Sequence, residues 1–346
     1  MAEYKRRLVK FAVDDVHREM PSSQGNFVET RLVTLAHDEM TAQANNGKAQ
    51  SWIFEGEQPL RKKGVGRGLH QSDVICSTYG WLPEASQTLE YGKNYDGYWT
   101  GELFVKQLKE KIIPTFEKYH GAGYKALIIV DNSQGHLAYA TDALLTSRMN
   151  LRPGGKQARL RDGWYLKDNQ KVIQAMVFPA DHPEHPNEPK GMKQVLIERG
   201  LWKDGLRMQC KDSCKTTNCC AKRILDLQPD FKSQRSLVQE VIEAAGHCCI
   251  FLPKFHCELN FIEFFWGAVK RYLAEHCDYT FETLKENMPK ALQSVKVETI
   301  RKWEHHMHCW MNAYHQGMGA KEAQIEVRRF SSTKYKSHRR VSQRED

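Results

Sequence analysis

The chain has 346 residues, 40% of them hydrophobic and 27% charged, a balance typical of a folded globular protein and unlike a disordered one. Lys and Arg outnumber Asp and Glu by 51 to 42, leaving a net charge of +9; this leans toward a polyanionic partner, because clustered cations gain affinity by releasing phosphate counterions. The longest uncharged apolar runs, 126–130 and 248–252, fall far short of the roughly 18–20 residues of a membrane helix, and the N-terminus lacks the sustained apolar stretch that predicts secretion.

Residues 1–26 read as a polar extension. A strand is predicted over 31–36, running into His37-Asp38-Glu39; the turn residues Asn45-Asn46-Gly47-Lys48 separate it from a strand over 51–54, and 69–75 with 79–82 supply a third strand and a bend. Phe104, Leu108 and Ile112 have helical spacing within 104–119, where Pro114 is set to bend or interrupt the helix. The continuous apolar run at 126–130 is the pattern of a strand covered on both faces. It ends at Asp131, and a helix is predicted over 137–149.

From about residue 150 the texture changes. A hairpin is predicted from 163–166 and 171–178 around Lys167-Asp168-Asn169-Gln170; four prolines follow in 179–189, then a helix over 192–199, a cysteine cluster at 210–220 and a helix over 234–245. Buried-strand character resumes at 249–252, which marks 150–246 as an insertion between a first core segment, 27–149, and a second, 247–327. In the second segment Ile262, Trp266, Val269 and Leu273 recur at helical spacing, Thr280 can cap a helix with Phe281 and Leu284, and Ile300, Trp303, Met307, Trp310 and Tyr314 repeat up to Gly317. Residues 328–344 hold seven Lys or Arg and no acid, and 328–346 reads as a basic tail.

Three acids stand where structure makes them useful. Asp38 and Asp131 each follow an apolar strand, and Glu263 lies on an amphipathic helix after a third. Hard divalent cations take oxygen ligands, commonly a few carboxylates with substrate phosphates. Two such ions serve in-line phosphoryl displacement. Each acid also has a plain alternative: a helix N-cap for Asp131, a turn former for Asp38, a solvated helix residue for Glu263.

In combination these motifs resemble the DDE transposases of the mariner-like superfamily, in particular fungal members with a long insertion before the third acid. The resemblance covers roughly 27–300 and rests on Leu35-Ala36-His37-Asp38-Glu39, on Ile128-Ile129-Val130-Asp131-Asn132-Ser133-Gln134-Gly135-His136, and on the segment from Leu252 through Leu259-Asn260-Phe261-Ile262-Glu263 with Trp266 and Lys270 beyond it. It implies an α/β fold with an RNase H-like mixed sheet flanked by helices, a cysteine-containing insertion and a helical C-terminal segment. It further implies Asp38, Asp131 and Glu263 as catalytic ligands of Mg²⁺ or Mn²⁺, DNA (transposon ends and target) as partner, a homodimer as candidate assembly, a nuclear location, and no membrane or small-molecule cofactor. Ala42, Cys257 and Phe261 depart from the usual motif residues without removing a carboxylate. About 30 residues precede the first strand, too few for the end-binding helix-turn-helix domains such enzymes carry, so a truncated copy, a late-begun gene model or a host-adopted DNA-binding remnant is an alternative expectation, and an RNase H-like nuclease is another.

Asp73 competes as first acid but lacks the Asp-Glu doublet. His136, Lys270 and Arg271 are candidate DNA contacts, with capping or solvated roles as the alternatives. Cys210, Cys214, Cys219 and Cys220 are a candidate structural Zn²⁺ site, with His247, Cys248 or Cys257 as substitute ligands; unliganded cysteines in a small core are the alternative. His305, His306, His308 and Cys309 flank an aromatic stripe and read as core packing. Gly64-Val65-Gly66-Arg67-Gly68 lacks strand and helix context for phosphate binding and reads as a turn.

Overall fold

The computed structural model describes residues 4, 6–20, 30–46, 64–133, 135–210 and 216–329. The expected strand at 51–54, the turn residues Gly47 and Lys48, Cys214 and the tail from 330 onward lie outside the described residues. The chain divides into two compact units, one formed by Met1–Leu137 with Val238–Asp346 and the other by Ala138–Leu237.

The first unit is built on a six-stranded mixed sheet. Its strands are β1 (Arg31–Gln43), β2 (Gly68–Cys76), β3 (Gly80–Trp81), β4 (Gln87–Tyr91) and β5 (Tyr124–Val130), followed after the second unit by the strand Cys248–Phe251. β1 pairs antiparallel with β2 and parallel with β5, and β5 pairs parallel with Cys248–Phe251. The resulting order, β3-β2-β1-β5 and then Cys248–Phe251 with β4 also on β2, is the RNase H-like arrangement that the family resemblance implies. Each parallel connection needs a crossover. The first is supplied by α1 (Gly101–Gln107), a π-helical turn at Leu108–Ile112 and α2 (Ile113–His120). Thr100 caps α1 by accepting from the Leu103 N–H (3.3 Å), and the π turn absorbs the missing donor of Pro114.

The predicted helix over 137–149 does not form; only a single 3₁₀ turn, Thr146–Arg148, is helical. Carbonyls that a helix would satisfy internally find tertiary partners instead. The Arg148 guanidinium donates to the carbonyls of Ala140 and Thr141, and the Leu237 N–H takes that of Ala138 (2.8 Å).

In the second unit β6 (Gly163–Lys167) and β7 (Gln170–Gln174) make the expected hairpin, with Asp168 and Asn169 at φ +50° and +60°, the conformation of a two-residue hairpin turn. With it come α3 (Met192–Glu198), α4 (Ala221–Asp226) and α5 (Pro229–Lys232), while α6 (Leu237–Ala244) returns the chain to the first unit from Val238. Leu160, Met176, Val195, Leu196, Leu225 and Phe231 are among the second unit's core residues.

Back in the first unit, Cys248–Phe251 is β8, followed by α7 (Ile262–His276), α8 (Phe281–Gln293), α9 (Val297–His315) and α10 (Ala320–Arg329). Thr280 caps α8 through Thr283 N–H (3.2 Å). Side chains alternate across a strand, so Ala36, Met40 and Ala42 of β1 join Ile262, Phe265, Trp266 and Val269 of α7 in one core. Among the described residues no helix is long and apolar enough to cross a membrane.

Glu304 of α9 is 3% exposed. Burial pushes its carboxyl up to about 7, against the pull of the Ser77 and Thr34 hydroxyls. In the unfolded chain this group ionises near its ordinary 4.5, so the unfolded state sheds its proton first and stability drains as pH rises from there to about 7. Glu304→Gln removes that loss. Thermal melts of the variant against wild type should show an advantage at pH 8 over pH 5 of roughly 2–3 kcal/mol; parallel pH profiles would show that Glu304 does not titrate on unfolding.

Candidate active site

The register of β1 against β5 sets the first two acids level. Ala36 lies opposite Ile129; Asp38 and Asp131 each follow two residues on, in neighbouring parallel strands spaced about 4.8 Å. The third acid arrives by a loop. Leu252 N–H bonds to the Val130 carbonyl (2.9 Å), and the chain then crosses to α7, whose first turn carries Glu263. Asn260 fixes that crossing. It is 3% exposed, and its side-chain amide donates to the His37 carbonyl (3.2 Å), tying the start of α7 to β1.

Asp38, Asp131 and Glu263 thus line one cleft of about 460 Å³, together with Asn132, Ser133, Asn260 and the loop residues 252–257. Burial, then the charges of Glu263, Glu39 and Asp131, push the Asp38 carboxyl up to about 8. Three carboxylates facing one space repel one another, and a hard cation suits that donor set. Their oxygens are not gathered as closely as two other groups among the described residues, His37-Glu39-His136 and Cys210-Cys219-Cys220, whose ligand atoms lie within 4.8 Å.

The first of those groups explains the difference. Glu39 is adjacent to Asp38 on the strand and therefore faces the other side of the sheet, where its Oε1 accepts from Trp99 Nε1 (2.7 Å) and His136 Nε2 (3.0 Å). The other ring nitrogen of His136, Nδ1, donates to Asp131 Oδ1 (2.5 Å), which also accepts from the Ser133 N–H (3.3 Å). Burial works against charging His136, but its bonds to Asp131 and Glu39 raise it to about 9. Conversely, burial alone would raise Asp131, yet His136 holds it below the usual carboxylate range. His37 stacks on Phe104 (4.1 Å) and donates to Ser72 Oγ (2.9 Å); burial lowers it to about 4.

The fold is similar to that of the Mos1 mariner transposase. A Mos1 mariner paired-end complex with Mn matches with a TM-score of 0.43 and 11% identity, over 82% of this chain and 54% of that one. A Mos1 transposase paired-end complex with the left transposon end gives 0.41 and 10%, over 80% and 52%. The chain spans about half the length of these solved chains. No protein-family model and no curated protein matches it.

The other sequence candidates fall in different places. Asp73 is fully buried, held by Trp81 Nε1 (2.7 Å) and Gln71 Nε2 (2.6 Å), and does not line the cleft. His136 is neither on a helix nor on the surface: it is 2% exposed, with both ring nitrogens on carboxylates, Asp131 and Glu39. Lys270 and Arg271 are exposed on α7, Lys270 on the flank that carries Glu263 and Arg271 opposite the buried face of Phe265, Trp266 and Val269. In the second unit Cys210, Cys219 and Cys220 draw together, while Cys214 is outside the described residues. His305 contacts Cys309 (3.4 Å) and Trp310 donates to His306 (3.2 Å), as packing on α9 requires. Sequence reasoning missed the roles of Glu39, Trp99 and Asn260. The signal for Glu39 was its place beside Asp38, since neighbours on a strand serve opposite faces.

Proposed function

We propose that this chain is the catalytic part of a DNA transposase, with Asp38, Asp131 and Glu263 holding divalent cations. The observation that supports it most is the meeting at one cleft of three acids 93 and 132 positions apart in sequence. Mg²⁺ or Mn²⁺ bound there supplies polarisation of the phosphoryl group and neutralisation of the leaving oxygen. Asp38 is delivered from within β1, Asp131 by the end of β5 and Glu263 by a helix start fastened through Asn260, so the ligands are set before substrate binds. His136 and Glu39 keep one oxygen of Asp131 engaged and leave the other for the cleft.

The reaction has two displacements at phosphorus. Water attacks a phosphodiester at the element end and frees a 3′-hydroxyl; that hydroxyl then attacks a target phosphodiester, joining the strands and releasing a target 3′-hydroxyl. Lys270 and Arg271, on the exposed face of α7 beyond Glu263, are suited to backbone phosphates. A nuclear location and a homodimer belong to the same proposal.

The test uses the purified chain with short linear and pre-nicked DNA, so that recognition of element ends is not required. Nicking and strand joining should depend on Mg²⁺ or Mn²⁺ and stop with EDTA. Salt-sensitive DNA binding without cleavage or joining in either metal would overturn the enzyme reading and leave a non-catalytic DNA-binding protein.

A further inference from the structure

We infer that Phe255 is a base-stacking residue, its ring taking an unpaired nucleobase beside the phosphate at the Asp38-Asp131-Glu263 cleft. This rests on the reading of DNA as substrate. Phe255 lines that cleft and is 99% exposed. It also sits at φ +67°, the left-handed region that a bulky non-glycine side chain rarely enters. Two unfavourable features therefore coincide on one residue.

The exposure does not come from a loose loop. Leu252 and Leu259 on either side are 8% exposed and Phe261 is fully buried. Leu252 N–H is bonded to Val130 and Leu259 N–H to His256 (3.1 Å). Glu258 Oε1 accepts from Tyr314 Oη and contacts His256 Nδ1, both at 2.7 Å. The ring is held out on a braced support.

Its surroundings choose the occupant. The rim holds Lys254, His256 and the three acids, and an apolar protein surface or a lipid needs a contiguous apolar patch rather than one ring among charges. A nucleobase offers a flat face to the ring, and its phosphate suits the neighbouring lysine. Within a duplex those faces are covered by neighbouring bases, so the ring can reach one only where a base is unpaired or turned out of the stack.

Two DNA probes separate the possibilities: a duplex ending in unpaired nucleotides, one of them 2-aminopurine, and the same duplex blunt. Phe255→Asn deletes the ring while placing a residue at ease in the left-handed region. Anisotropy titrations in metal-free buffer should show it about tenfold weaker on the unpaired end and unchanged on the blunt duplex. The 2-aminopurine fluorescence change seen with wild type should vanish, and Phe255→Trp should retain both signals. Wild-type behaviour of Phe255→Asn on both probes, or an equal loss on both, overturns the stacking role while the DNA reading stands. If wild type binds neither probe, the DNA reading itself fails and the inference with it.

Discussion

Asp131→Asn should reduce metal-dependent DNA cleavage on the order of a thousandfold or more. Asp131 Oδ1 is engaged by His136 and the Ser133 N–H, and the asparagine carbonyl can keep both contacts. Its amide then occupies the place of the free carboxylate oxygen, presenting N–H donors where a cation needs an acceptor. Size and local fold are retained; charge and coordination are not. DNA affinity should stay within about threefold, because it depends on Lys and Arg contacts to phosphate. Two measurements make the distinction: a cleavage time course in Mg²⁺ and Mn²⁺, and the thermal shift each metal gives without DNA. Wild type should gain stability from the metal by mass action and the variant little. Cleavage retained within about tenfold of wild type would remove Asp131 from the chemistry, since losing a transition-state stabilising group costs at least a hundredfold.

Much of this site was readable because its parts are local. An apolar run reads as a strand wherever it occurs, and Asp38, inside β1, and Asp131, just past β5, became level neighbours once the two strands paired in parallel. Glu263 was readable from the apolar spacing of α7, which leaves it on the open side. What could not be read depends on segments distant in sequence. Glu39 and His136 are 97 positions apart, and nothing in either stretch says that one imidazole will bridge Glu39 to Asp131. The false helix over 137–149 has a local and a distant cause: Arg148, within the stretch, takes the Ala140 and Thr141 carbonyls, and Leu237, far along the chain, takes that of Ala138. β1 also runs to Gln43, seven residues beyond the predicted end at Ala36, because His37 and Glu39 are polar residues given partners inside the fold.

The second unit conceals its main constraint equally well, and cutting it should unfold that unit first. Arg199, just beyond α3, and Asp230 in α5 have fully buried side chains joined in a two-pronged pair, Nη1 to Oδ1 at 2.9 Å and Nη2 to Oδ2 at 2.6 Å. The remaining valences are used as well: Arg199 Nε donates to Gln174 Oε1 (2.7 Å), and Asp230 Oδ2 accepts from the Trp164 N–H (3.0 Å). One ion pair therefore ties both hairpin strands to two helices. A Cβ on Gly163 would lie 2.5 Å from Asp230 Oδ2, so only glycine lets the strand approach so closely. Asp230→Ala strands a buried guanidinium and should cost about 3–5 kcal/mol. A unit of this size holds only some 5–15 kcal/mol in total, so its core around Val195, Leu225 and Phe231 would be left marginal. Urea unfolding of the full chain should show an early transition in Asp230→Ala, with the rest of the curve in place. Arg199→Met alone should behave similarly by orphaning the carboxylate, whereas Arg199→Met with Asp230→Leu should recover much of the loss, because no buried charge remains unpaired. Single variants that unfold within about 1 kcal/mol of wild type, the value of a surface pair, would show that water reaches the pair in solution.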